Sequence, residues 1–154
     1  SRAGGIAMGD SYQCGIIFYL DGFGGGVIAA PSDQYTGAEW GCYGAFIWGA
    51  DGTAIGTGNQ NTIDIEAGCT TAGTAADICA NLTLGGYSDW FLPSKDELNQ
   101  MYLNKAVVGG FANFYYWSST EYDNGNSWIQ NFTNGYQIYD IKFYAKYVRA
   151  VRAF

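Results

Sequence analysis

WSSTEYDNGNSWIQNFTNGYQIYDIKFYAKYVRAVRAF, residues 117–154, joins two kinds of sequence. Its ends, Trp117-Ser-Ser-Thr-Glu121 and Val148-Arg-Ala-Val-Arg-Ala-Phe154, look like fixed structural brackets. Between them, residues 122–147 mix Tyr, Asn, Asp, Ser, Gly and Ile with neither helical nor strand periodicity, and seven of the chain's 13 Tyr fall between positions 115 and 147. Tyr supplies stiff, half-polar contact area at low entropic cost, and Asn, Ser and Gly supply adaptable hydrogen bonding, the mixture favoured by binding loops. A strand with one buried face alternates apolar and polar residues. The run from Tyr136 to Tyr147 alternates poorly, which predicts aromatic rings reaching water on both sides. A tyrosine-rich antiparallel sheet with a solvated polar face is the bland alternative, and this stretch alone leaves both open.

Outward from that segment, composition sets the class. The chain has 154 residues, 48% hydrophobic and 18% aromatic, enough for one substantial core and a single domain over 1–154. Only 14% of residues are charged, and 23 Gly against 2 Pro predict many tight turns and a loop-rich fold rather than a helical bundle. No apolar run approaches the roughly 20 residues that span a bilayer, and no signal-peptide pattern opens the chain, so no membrane insertion by this domain is expected. Ser1-Arg2-Ala3 reads as a cloning remnant.

The net charge of −7 is uneven: eleven acids precede Trp117 against Arg2, Lys95 and Lys105, whereas Lys142, Lys146, Arg149 and Arg152 outnumber Glu121, Asp123 and Asp140 after it. An acidic body repels phosphate backbones, which argues against nucleic acid as a partner. The chain has no His, the commonest proton shuttle and transition-metal ligand, so neither an enzyme nor a cofactor or metal is expected.

Four Cys, at 14, 42, 69 and 79, allow three full pairings, and no C-x-x-C spacing marks a zinc or redox site. A Cys42–Cys69 bridge is favoured because both follow Gly in loop-like contexts, while Cys79, in a helical pattern, reads as a buried thiol or as part of a second pair. A bridge implies an extracytoplasmic setting.

Earlier in the chain, the apolar runs Gly15-Ile-Ile-Phe-Tyr-Leu20 and Val27-Ile-Ala-Ala30 around a Gly-rich turn read as a hairpin. Residues 31–57 are irregular, and Trp40, Tyr43, Phe46 and Trp48 are expected to pack a small core inside an ordered loop rather than to form a ligand platform. Residues 59–82 carry apolar residues at threes and fours, a helix that Gly68 and Gly73 can divide. Ser94 and Glu97 have the spacing of a capping box ahead of the stripe Leu98, Met101, Tyr102. Asp96 and Glu97 are neighbours in sequence, which do not face one another on a helix, so they are read as cap and dipole partners rather than a catalytic pair. Residues 111–117 are read as an aromatic strand, and residues 148–154 as a last strand pairing near the N-terminal hairpin, with Arg149 and Arg152 paired to acids such as Glu121.

Four segments, Tyr12-Gln-Cys-Gly-Ile-Ile-Phe-Tyr19, Gly86-Tyr-Ser-Asp-Trp-Phe-Leu-Pro-Ser-Lys-Asp-Glu-Leu98, Tyr116-Trp-Ser-Ser-Thr-Glu121 and Tyr147-Val-Arg-Ala-Val-Arg-Ala-Phe154, resemble in order and spacing the signature blocks of the DUF1566 family, the Legionella collagen-like protein C-terminal domain type. The resemblance implies an α+β, C-type-lectin-like fold: an irregular antiparallel sheet flanked by two helices, with the termini close together. Several members of that family are variable proteins of diversity-generating retroelements, in which errors at template adenines rewrite a C-terminal segment. Asn codons rewritten in this way never yield Trp, Gln, Glu, Lys or Met. Within residues 122–147 the unreachable residues are Trp128, Gln130, Gln137, Lys142 and Lys146, which become scaffold positions. The candidate diversified, ligand-binding positions are Asp123, Asn124, Gly125, Asn126, Ser127, Ile129, Thr133, Asn134, Tyr136, Ile138, Tyr139, Asp140, Ile141, Phe143, Tyr144 and Ala145.

The implied function is recognition of a macromolecular ligand, protein rather than glycan, at a cell surface or on a virus particle, by residues within 117–154. Tyr136, Ile138, Tyr139, Phe143 and Tyr144 would be its anchors, with Asn124, Asn126 and Asp140 as polar contacts. The alternative is a carbohydrate adhesin of fixed specificity, stacking sugar on Trp128 or Tyr139 with a cation held by Asp123 and Asp140. The formylglycine-generating enzymes share the general fold, but without His or a paired catalytic Cys that activity is not expected.

Overall fold

The computed structural model describes residues 5–154; Ser1–Ala3, read above as a cloning remnant, lie outside them. In chain order the elements are β1 (Ser11–Tyr12), β2 (Gly15–Leu20), β3 (Gly26–Ala29), β4 (Tyr35–Ala38), α1 (Gly58–Gly68), α2 (Ala75–Ala80), α3 (Lys95–Leu103), α4 (Lys105–Val108), β5 (Tyr115–Glu121), β6 (Asn126–Asn131), β7 (Gln137–Ile141), β8 (Lys146–Val148) and β9 (Val151–Ala153). The fold is α+β and loop-rich.

Two apolar runs around a glycine turn do form a hairpin. β2 pairs antiparallel with β3, from Ile16↔Ala29 to Leu20↔Gly26, and β9 adds to the other edge of β3 through Val27↔Ala153 and Ile28↔Arg152. With β1 this sheet runs β1-β2-β3-β9; the second runs β4-β8-β5-β6-β7. Within the second sheet β5 and β8 are parallel at Tyr116↔Tyr147, and the other pairs are antiparallel.

The expected last strand is two short strands in different sheets. Val148 ends β8, and the chain crosses at Arg149 and Ala150 before β9 begins. Arg149 anchors this crossing: its buried guanidinium meets Asp33 at 2.8 Å and donates to the carbonyls of Ala30, Gly109 and Gly110. Its partner is therefore Asp33 rather than Glu121, and Arg152 pairs with Asp89.

Adjacent strand residues point to opposite faces, and two pairs of neighbours divide the interior accordingly. Ile17 and Trp117 join Trp40, Ile65, Trp90 and Ile129 in one cluster, whereas Phe18 and Tyr116 join Leu98, Met101 and Phe132 in another. Each fully buried large apolar side chain contributes about 1.5–3 kcal/mol. The helical stretch divides as its glycines suggest: α1 ends at Gly68, and Thr74 caps α2 by accepting from the Asp77 amide. The Ser94–Glu97 capping box opens α3 with both bonds made, and Glu97 Oε2 also accepts from the Gly56 amide at 2.8 Å, tying the preceding loop to that helix.

Residues 122–147, expected to be irregular, contain β6, β7 and the start of β8. The alternation is blurred because β6 buries residues on both faces, including the polar Ser127 and Gln130. The aromatic strand predicted over 111–117 begins at Tyr115 and continues to Glu121. Cys42 and Cys69 form the disulfide, while Cys14 and Cys79 are free thiols, the first exposed and the second buried.

Candidate ligand-binding face

A buried ion pair organises the site. Lys142 Nζ lies 2.6 Å from Glu121 Oε2, with both side chains shut off from solvent, and donates at 2.9 Å to the Ala45 carbonyl. The same Glu121 oxygen accepts from the Ile47 amide at 2.9 Å, and the ammonium sits over the Trp40 ring. Backbone bonds complete the clamp: Trp40 and Gly41 donate to the Lys142 carbonyl, Gly44 to that of Asn124, and Lys142 to that of Gly125. Loop 42–47 is thereby fixed to the end of the sheet where the β5–β6 turn and the residues after β7 meet, and the Cys42–Cys69 bridge ties its start to the end of α1.

At that end the late aromatic rings reach solvent. Tyr139 is 41% exposed, Phe143 47% and Tyr144 46%; Ala145, next to Tyr144, and Asn124, in the β5–β6 turn, are exposed as well. Cross-strand pairing sets Trp128 opposite Tyr139, and Tyr122 stacks on Tyr139 at 3.9 Å between ring centroids. Lys95, at the start of α3, covers the Trp128 ring at 3.9 Å. Phe143 meets Tyr144 edge to face, and Lys146, in β8, pairs with Asp140 at 2.7 Å and reaches over the Tyr144 ring.

The sixteen candidate positions do not form one patch. Thr133, Asn134 and Tyr136 are exposed, but they occupy the β6–β7 turn, at the far end of a six-residue strand, roughly 20 Å from the β5–β6 turn. Asp123, Gly125, Asn126, Ile138, Asp140 and Ile141 are half-buried, and Ile138 packs against the core. Ser127 and Ile129 are buried, contrary to their reading as surface positions. Both lie on the face of β6 opposite Trp128, where Ile129 pairs with Ile138 above the Trp117 cluster, so they belong to the frame.

Electrostatics further narrow what the face can hold. Desolvation works against the Asp123 carboxylate, but donation from the Gly125 amide and from Asn126, with the charge of Lys142, holds its pKa below the ordinary carboxylate value. The Tyr139 phenol raises that of Tyr122. Asp123 Oδ1 is thus taken up by its own turn and Asp140 is paired with Lys146, and among the described residues no group of three or more metal-ligating side chains converges. The two carboxylates do not present a ready calcium cage, which takes six to eight oxygens.

Tyr43, Phe46 and Trp48 do not form the small loop core expected of them. Trp40 is buried as expected, but Tyr43 and Phe46 are more than half exposed and Trp48 is 86% exposed. Tyr43 meets Phe143 edge to face at 4.8 Å, and Phe46 stacks with Trp48 at 5.9 Å. The available signal was the spacing Cys42-Tyr-Gly-Ala-Phe-Ile-Trp-Gly49: rings separated by Gly and Ala lack neighbours large enough to enclose them.

No curated protein matches the chain. Residues 31–152, from the loop before β4 to β9, match the Lcl C-terminal domain family. This chain belongs to the Lcl C-terminal domain family.

Proposed function

We propose that this domain is a non-catalytic, ligand-binding, adhesin-like module of C-type-lectin-like architecture, acting outside the cytoplasm at a cell surface or on a virus particle. Its contact face is carried by Tyr139, Phe143, Tyr144 and Asn124 and is diversified by a retroelement. The observation that supports this most is the pairing of exposed rings with a buried clamp: Phe143 and Tyr144 follow directly on Lys142, whose side chain is wholly enclosed. Side chains outside such a clamp can change while the backbone beneath them stays fixed. Family membership favours ligand binding or adhesion, and the Tyr, Phe and Asn composition of the face suits a protein partner.

Two measurements test the reading. Labelled protein applied to protein and glycan arrays should bind protein targets, and the signal should vanish in a Tyr139→Ala/Tyr144→Ala variant. Chelator-sensitive binding to glycans alone would instead favour an adhesin of fixed specificity. For the retroelement, the flanking DNA should hold a reverse transcriptase gene and a near-copy of the segment coding for 117–154 that differs at adenines. A locus with neither contradicts diversification and leaves the binding claim standing.

A further inference from the structure

The early loop and the late segment share one surface. Tyr43 touches Phe143, the Gly44 amide donates to the Asn124 carbonyl at 2.8 Å, and a Cβ built on Gly125 would lie 3.3 Å from the Tyr43 ring. Phe46 and Trp48 flank Ile47, whose amide is bound by Glu121, so their rings project from the most firmly held part of the loop. None of these three aromatic residues falls within 117–154.

The charges beside them are one-sided. Each cationic side chain among the described residues is already engaged: Lys95 over Trp128, Lys105 with the Phe132 carbonyl, and Lys142, Lys146, Arg149 and Arg152 with carboxylates. Acid remains near the loop. The Asp64 carboxylate lies against Gly49, next to Trp48, and Asp123 sits in the turn that Tyr43 touches. Rings in this region accept cations, as Lys95 and Lys146 show, yet among the described residues no cation covers Tyr43, Phe46, Trp48 or Phe143.

We infer that Tyr43, Phe46 and Trp48 extend the late face into a composite surface that docks a basic protein segment, with its Lys or Arg side chains over these rings and beside Asp64 and Asp123. The inference rests on the binding role proposed for the late segment and adds a constant part and a partner chemistry to it. An aromatic face holds a guanidinium or ammonium most strongly when water is excluded, and the net charge of −7 steers a basic partner toward the protein. A constant wall beside exchangeable residues would let many variants share one basic class of partner.

The test is a random 12-residue peptide library displayed on phage and panned against the wild-type protein. Recovered peptides, synthesised and titrated, should be rich in Arg and Lys and should weaken in about 0.5 M salt. Their Kd should rise about tenfold or more in Tyr43→Ala, Trp48→Ala and Tyr144→Ala. Near-UV circular dichroism checks that each variant is folded. Peptides without basic residues, or basic peptides whose Kd is unmoved by both loop substitutions, overturn the inference. Sensitivity to Tyr43→Ala and Trp48→Ala without sensitivity to Tyr144→Ala upholds the loop as a basic-segment site and contradicts the proposed role of the late segment. Sensitivity to Tyr144→Ala alone does the reverse.

Discussion

Lys142 and Glu121 face one another at 2.6 Å in an interior closed to water, and each also holds a backbone group of the loop between them in space: Lys142 the Ala45 carbonyl, Glu121 the Ile47 amide. Breaking such a pair leaves a buried charge without its counter-ion, at a cost of about 3–5 kcal/mol. Lys142→Met or Glu121→Leu alone should therefore lower unfolding stability by that amount in urea. The Lys142→Met/Glu121→Leu double variant should recover only part of it, because the Ala45 and Ile47 backbone groups stay unpaired.

The Cys42–Cys69 bridge closes a loop of 27 residues. Chain-entropy reasoning assigns such a closure about 3–4 kcal/mol. Replacing both cysteines with Ser should lower stability by roughly that amount, and a reductant should lower the Tm of the wild type but leave that of the variant unchanged.

Ser127 and Ile129 separate frame from surface within one strand. Ser127 Oγ is buried with no hydrogen-bond partner, so Ser127→Ala should be neutral or stabilising by up to about 1 kcal/mol. Ile129→Ala should cost about 2–5 kcal/mol by opening a cavity against Trp117. Urea midpoints of the two variants measure both effects.

Much of the frame is legible in the sequence. The Ser94–Glu97 cap, the β2–β3 hairpin and the split of the helical region at its glycines are local signals, written in spacings of two to four residues. The glycine contexts of Cys42 and Cys69 point to the disulfide that forms. The strands β6 and β7 were not legible, because Ser127 and Gln130 are polar yet buried and Tyr139 is aromatic yet exposed, which blurs the two-residue period. The Lys142–Glu121 and Arg149–Asp33 pairs join residues remote in sequence, so no spacing announces them. The candidate face was half legible: composition placed Tyr139, Phe143 and Tyr144 at the surface, but only the fold could set Tyr136 at the opposite end and bring Tyr43 beside Phe143.

Glu66, in α1, makes stability depend on pH. Desolvation raises its pKa, and the adjacent Asp77 raises it further, from 4.5 to about 7. The folded protein then keeps a proton that the unfolded chain releases. This contribution is full below about pH 4.5 and is lost as pH rises through about 7. Asp77 runs oppositely: the Gly73 amide first, then Glu66, lower its pKa, so its contribution is lost on acidification. Glu66→Gln should remove the decline in stability that Glu66 causes between these limits, seen as a smaller difference between urea midpoints at about pH 4.5 and about pH 8 than in the wild type.

The proposed binding role requires a frame that tolerates replacement of the side chains it displays. Randomising Asn124, Tyr139, Phe143, Tyr144 and Ala145 together in a displayed library, and measuring the fraction of clones that resist protease, tests this most directly. The account predicts that most clones resist as the parent does, whereas a matched library at Ser127, Ile129 and Lys142 leaves few resistant. Loss of resistance in most clones of the first library would contradict it, showing that these rings hold the protein together rather than stand ready for a partner.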